Sequence, residues 1–178
     1  MRRAIPYVLG AVVVALIFYA FQPSAPGTGQ TAPDVVLRFT TGGEQRSLSS
    51  YRGNVLVLDF WATSCAPCRR TMPRIEEFYQ RYKGQGVTVI GVAVDIDDYN
   101  RVTQFAKEAG VTYAIAADTS GEAKQAYYLR TLPTLVVIDK DGVIVLRLDG
   151  YDPQSSEKLL EGAVKRALEK PAKPIMAQ

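Results

Sequence analysis

The chain has 178 residues, 21 Lys and Arg against 18 Asp and Glu, two cysteines and no histidine. That length suits one domain with short additions, and the lack of histidine and of a third cysteine excludes an ordinary four-ligand zinc site. Arg2 and Arg3 carry the only charges before residue 22, so the rest holds 19 basic and 18 acidic residues; such a near-neutral domain has no electrostatic footprint for nucleic acid.

At the N-terminus, Met1-Arg2-Arg3 precede the uncharged apolar run Ile5–Phe21. Its length is at the short end for a membrane-spanning helix, and the two arginines before it predict a cytoplasmic start with the remainder outside. A cleaved secretory signal is the alternative. Phe18 in Phe18-Tyr19-Ala20 is bulky for a cleavage site and Pro23-Ser24-Ala25 is little better, which favours an uncleaved anchor over residues 1–21. Either reading exports the chain beyond residue 21. Residues 22–33, QPSAPGTGQTAP, have the composition of a flexible linker. The folded domain is expected over 34–170, with a loose tail over 171–178.

Within the domain, Val35–Phe39 and Gln45–Leu48 flank Thr40-Thr41-Gly42-Gly43-Glu44, the pattern of a small β-hairpin. Asn54–Trp61 (NVLVLDFW) and Val87–Val94 (VTVIGVAV) are nearly continuous apolar runs, as in central strands covered on both faces. Between them, Met72, Ile75, Phe78, Tyr79 and Tyr82 recur at helical spacing over Cys65–Tyr82, predicting a βαβ unit with parallel strands. Pro73 is expected to kink that helix. A helix over Tyr99–Ala109 stopped by Gly110, a short strand Ala114–Ala117 and a short helix Gly121–Tyr128 come next. Thr134–Asp139 and Val143–Leu148 flank Lys140-Asp141-Gly142 as an antiparallel hairpin, and a last helix runs over Pro153–Glu169. The expected class is α/β, a mixed central sheet flanked by helices with an added N-terminal hairpin.

TSCAPCRR, residues 63–70, holds both cysteines. As a structural disulfide the pair would close a very short loop and restrict the unfolded chain little. As a metal site it offers two thiolates, enough for Cu(I) in a non-enzymatic metallochaperone. As a redox pair, Cys65 sits where a strand gives way to a helix, and helix N-terminal N–H groups lower a thiol pKa. Cys65 is then the attacking nucleophile and Cys68, one turn further in, the resolving thiol. Pro67 falls in the first turn, where its missing donor costs nothing. Asp59 stands in an apolar strand, so its carboxyl is expected to be partly buried with a raised pKa. Asp95, Asp97 and Asp98 end a strand parallel to the one before Cys65 and are expected near it, Asp98 serving as a helix cap.

VLVLDFWATSCAPCRRTMP, residues 55–73, resembles the active-site strand and helix of thioredoxin-fold oxidoreductases, and Thr131-Leu132-Pro133-Thr134 resembles the cis-proline loop that faces the cysteines in that fold. The anchor, linker and added hairpin resemble the TlpA/ResA branch, tethered thiol–disulfide oxidoreductases of the bacterial envelope. The resemblance covers residues 34–168. It implies that Asp59 accepts the proton of Cys68, and that Trp61, Ser64, Ala66, Pro67, Leu132 and Pro133 contact substrate. It implies no cofactor or metal beyond the Cys65–Cys68 disulfide. The expected partners are disulfides of exported proteins, such as apocytochrome c or copper-site assembly factors, and a membrane dithiol electron donor; the protein is expected to work as a monomer. Ala66-Pro67 between the cysteines adds no charge, which points to a reducing couple. Two positions depart from the pattern. Ser64 stands where the family usually has Trp, and its hydroxyl either caps the helix or donates to the Cys65 thiolate. The acidic residue of the ResA-type subgroup would fall at Ile96 or Asp97.

Overall fold

The computed structural model describes residues 12–14, 24–95 and 99–171. The expected anchor, apart from Val12–Val14, lies outside the described residues, as do Ile96, Asp97, Asp98 and the tail from 172. Among those described, no helix is long and apolar enough to cross a membrane.

Strands β1 (Val36–Phe39), β2 (Gln45–Ser47), β3 (Val55–Trp61), β4 (Val87–Ala93), β5 (Ala114–Ala117), β6 (Thr134–Ile138) and β7 (Ile144–Asp149) form one sheet in the order β2-β1-β5-β4-β3-β6-β7. The helices are α1 (Ala66–Tyr82), α2 (Tyr99–Glu108), α3 (Glu122–Ala126) and α4 (Pro153–Glu169). β3, β4 and β5 run parallel, while β1 lies antiparallel to β5, and β6 antiparallel to both β3 and β7. The expected boundaries hold to within a residue or two, and α1 continues through Pro73 as one element.

Every residue of β3 is buried, because helices or loops cover both its faces. Side chains alternate across a strand. Val55, Val57 and Trp61 therefore face α1, α2 and α4, joining a cluster with Cys68, Met72, Phe105, Leu160 and Val164. Leu56, Leu58 and Phe60 face the other way, against Val35, Leu37, Leu48, Ala123 and Tyr127.

One expectation needs correction. Part of the stretch that composition assigns to a flexible linker is docked on the domain. Thr31 pairs with Val143; Gly29 donates to the Ile144 carbonyl at 2.8 Å, Ile144 to the Gln30 carbonyl at 2.9 Å, and Ala32 to the Gly142 carbonyl at 2.9 Å. β7 is an edge strand, and unpaired edge groups call for a cover. A Gly- and Thr-containing segment can lie extended there without any apolar periodicity to betray it.

Candidate active site

Cys65 leaves the turn after β3 and is the N-cap of α1, its Sγ accepting the Cys68 N–H at 3.2 Å. The two sulfurs are joined in a disulfide, with the Cα atoms 5.3 Å apart. Cys65 is half-buried and Cys68 has no exposed surface, whereas Ser64, Ala66 and Pro67 are exposed. The half-turn between a strand end and a helix start thus offers one sulfur to the outside and hides the other beneath α1.

The hydroxyl of Ser64 does neither of the things expected of it. It lies 3.3 Å from Asp95 Oδ2, to which the Ser64 N–H also donates at 3.2 Å. Asp95 further accepts from the Thr63 N–H at 2.8 Å and the Thr63 hydroxyl at 2.9 Å. The cap position is already taken by Cys65. The parallel register of β3 and β4, extended by the Val94 N–H donating to the Trp61 carbonyl, brings Asp95 beside this turn. Of the acidic run, then, Asp95 does sit at the start of the cysteine helix.

Trp61 also needs correction. It has no exposed surface and is stacked on Phe105 with ring centres 5.0 Å apart, so it is a core residue and no substrate contact. α2 packs over its face of β3 and covers it. Arg69 stays exposed, its guanidinium 4.3 Å from the Phe105 ring centre and 3.1 Å from Glu108, tying α1 to α2 across the surface.

The Leu132–Pro133 peptide is cis. Pro133 is buried and its carbonyl accepts the Gly150 N–H at 2.8 Å, while the Thr134 hydroxyl donates to the Thr131 carbonyl at 2.7 Å. The surface this loop presents is that of Thr131 and the half-buried Leu132.

Asp59 has no exposed surface, and the pleat turns it to the same side as Val57 and Trp61, toward the layer that holds Cys68. Burial pushes its carboxyl up to about 7, against which a hydrogen bond from Tyr113 acts weakly. Tyr113 donates to Oδ2 at 3.2 Å; Oδ1 is buried with no partner among the described residues. Tyr113 carries no signal of this role in the sequence, being 54 positions away from Asp59. Gly91, directly across from Asp59 on β4, does leave a signal: a lone glycine within an apolar strand marks a close approach.

Residues 27–164 match the Redoxin family model. The thiol-disulfide oxidoreductase ResA of Geobacillus kaustophilus is 41% identical over 146 residues, covering 81% of this chain and 83% of that protein. Its namesake from Geobacillus thermodenitrificans is 39% identical over the same shares. The crystal structure of a candidate thiol:disulfide interchange protein DsbE from Chlorobium tepidum superposes with a TM-score of 0.72 at 30% identity, covering 82% of this chain and 99% of that one.

Proposed function

Since the chain belongs to the Redoxin family and is a thiol–disulfide oxidoreductase of thioredoxin-like fold, we propose that it reduces disulfides of exported proteins through the Cys65–Cys68 dithiol. The observation that carries this reading is the unequal burial of two joined sulfurs, Cys65 at the surface and Cys68 beneath it. Cys65 is the nucleophile. The Cys68 N–H aimed at its sulfur and the start of α1 stabilise its thiolate. That thiolate attacks the substrate disulfide, forming a mixed disulfide and releasing one substrate thiolate. Cys68 then loses its proton to Asp59 and attacks Cys65 Sγ, which closes the Cys65–Cys68 bond and releases the second substrate thiolate. Two electrons pass from the dithiol to the substrate.

Ser64, Ala66 and Pro67 form the exposed rim, and the backbone of Leu132 pairs with an extended substrate segment. Ala66-Pro67 places no charge between the cysteines, which supports the reducing direction. In this reading the domain works as a monomer outside the cytoplasm, anchored through residues 1–21 and re-reduced by a membrane dithiol. Apocytochrome c and copper-site assembly factors are its substrate class, and no cofactor or metal is required.

The test is a Cys68→Ser variant of the full chain expressed in its own host. Mixed disulfides through Cys65 are expected to accumulate, with mass spectrometry naming the partners. The absence of any trapped species, with Cys65→Ser behaving identically, overturns the mechanism. A reduction potential as oxidising as that of the strong dithiol oxidases overturns the direction.

A further inference from the structure

Asp59 is held in an unusual way. No Lys or Arg forms an ion pair with it among the described residues, and one oxygen has no partner at all. Among the described residues the one hydrogen bond to its carboxyl comes from Tyr113, which precedes β5 and must therefore reach across β4 to meet β3. The crossing is possible only over Gly91. A methyl group there would lie 2.9 Å from Tyr113 Cε2, 2.9 Å from Ile115 Cδ1 and 3.1 Å from Trp61 Nε1. Tyr113 is in turn fixed from α1. Glu76 accepts both the N–H and the hydroxyl of Thr112, at 2.7 and 2.6 Å, and the Tyr79 ring meets the Tyr113 ring edge-on at 6.1 Å.

We propose that Tyr113 is a positioning residue for disulfide exchange: it grips Asp59 by Oδ2 alone, across the notch at Gly91, and leaves Oδ1 free for the Cys68 proton. This rests on the reading of Asp59 as proton acceptor. Burial, and then the Asp59 charge, hold the Tyr113 hydroxyl well above the ordinary phenol range, so Tyr113 remains a donor throughout. In the resolving step the Cys68 proton goes to Asp59, the Cys68 sulfur bonds to Cys65, and the leaving thiolate keeps the electron pair of the broken bond. Tyr113 gives up nothing; it stabilises the carboxylate before the transfer. Among the described residues, the titratable and charged groups that face this pair are Cys68 and Glu76 on α1 and Tyr151 ahead of α4, Tyr151 itself meeting Glu157 and Arg74. β4 and β6 present only Gly91 and Leu135 opposite Asp59.

The test uses the reduced full chain in single-turnover reaction with 5,5′-dithiobis(2-nitrobenzoate). Attack by Cys65 releases the first thionitrobenzoate and resolution by Cys68 the second, so the second phase reads the resolving step and the first is an internal control. Tyr113→Phe removes the donor to the carboxylate and is expected to move the acid limb of the second phase up by about one pH unit. Gly91→Ala, which pushes the ring away, is expected to move it in the same direction. An acid limb that stays in place in both variants, while Asp59→Asn abolishes it, overturns the role of Tyr113 alone. A limb that survives in Asp59→Asn overturns the assignment of Asp59 and with it this inference.

Discussion

The two faces of β3 are built from alternate residues of one strand and differ in kind. Toward the hairpin side, Leu56, Leu58 and Phe60 meet an apolar layer, and the hydroxyls buried with them have partners: that of Tyr127 donates to the Pro33 carbonyl at 2.9 Å, and that of Thr134, across from Phe60, to the Thr131 carbonyl at 2.7 Å. Toward α1, the face carries Asp59 with an unpartnered Oδ1 and Trp61 with an unpartnered Nε1. Buried polar atoms without partners cost free energy. The face that contains them is the one beneath the cysteines. On that face, within a large apolar cluster, the domain tolerates a loss where a proton has to move.

The largest expected effect breaks the apolar face. Phe60 has no exposed surface and packs 5.1 Å from the Tyr127 ring. Phe60→Ala is expected to cost about 3–5 kcal/mol in chemical denaturation, with the pH profile of disulfide exchange unmoved; a shifted profile means that the two faces are not separable. Asp59→Asn acts in the opposite sense. A carboxyl whose folded-state pKa is raised favours the fold most at low pH, and that contribution is lost as pH rises from the unfolded value through the folded one. For Asp59 the window runs from 3.8 to about 7. Asp59→Asn is therefore expected to stabilise the protein at pH 8, by at most on the order of 4 kcal/mol. The advantage fades toward pH 4, while exchange slows. Equal melting temperatures of the two proteins at pH 8 and pH 4 count against a buried, strained carboxylate.

The two sides are unevenly legible in the sequence, for physical reasons. β3, α1 and the β6–β7 hairpin can be read because their apolar periods are local, and Asp59 because one charge interrupts an apolar run. The cysteine helix and the Leu132-Pro133 loop are likewise carried by contiguous residues. Features that depend on which strands are neighbours cannot be read this way. Tyr113 reaches Asp59 only because β5 is laid beside β4; that Asp95 lies near Cys65 follows from the parallel strand ends, but that Thr63 and Ser64 are its partners depends on the register of β3 and β4. For Trp61, the family resemblance implies a substrate contact, whereas α2 covers the ring. The docking of Gly29–Ala32 leaves no trace in the residue pattern, since backbone pairing at an edge needs no particular side chains.

The smallest expected effect sharpens the comparison most, because it sets two buried tyrosines against each other. Tyr127 on the apolar face and Tyr113 on the polar face each make one hydrogen bond through the hydroxyl, to a backbone carbonyl in the first case and to a carboxylate in the second. Tyr127→Phe leaves the ring in place and removes only the bond to Pro33, a net loss of about 1 kcal/mol. Its carbonyl partner does not titrate, so removing the donor changes no proton affinity, and the acid limb of Cys68 resolution is expected to stay where it is. Tyr113→Phe removes a bond of the same kind from a group that does titrate. If both variants lose similar stability and only Tyr113→Phe moves the limb, the difference lies in what each hydroxyl holds and not in the burial of the ring. A limb that moves equally in Tyr127→Phe means that general loosening of the core sets the profile, and the division between the faces of β3 then has no chemical meaning.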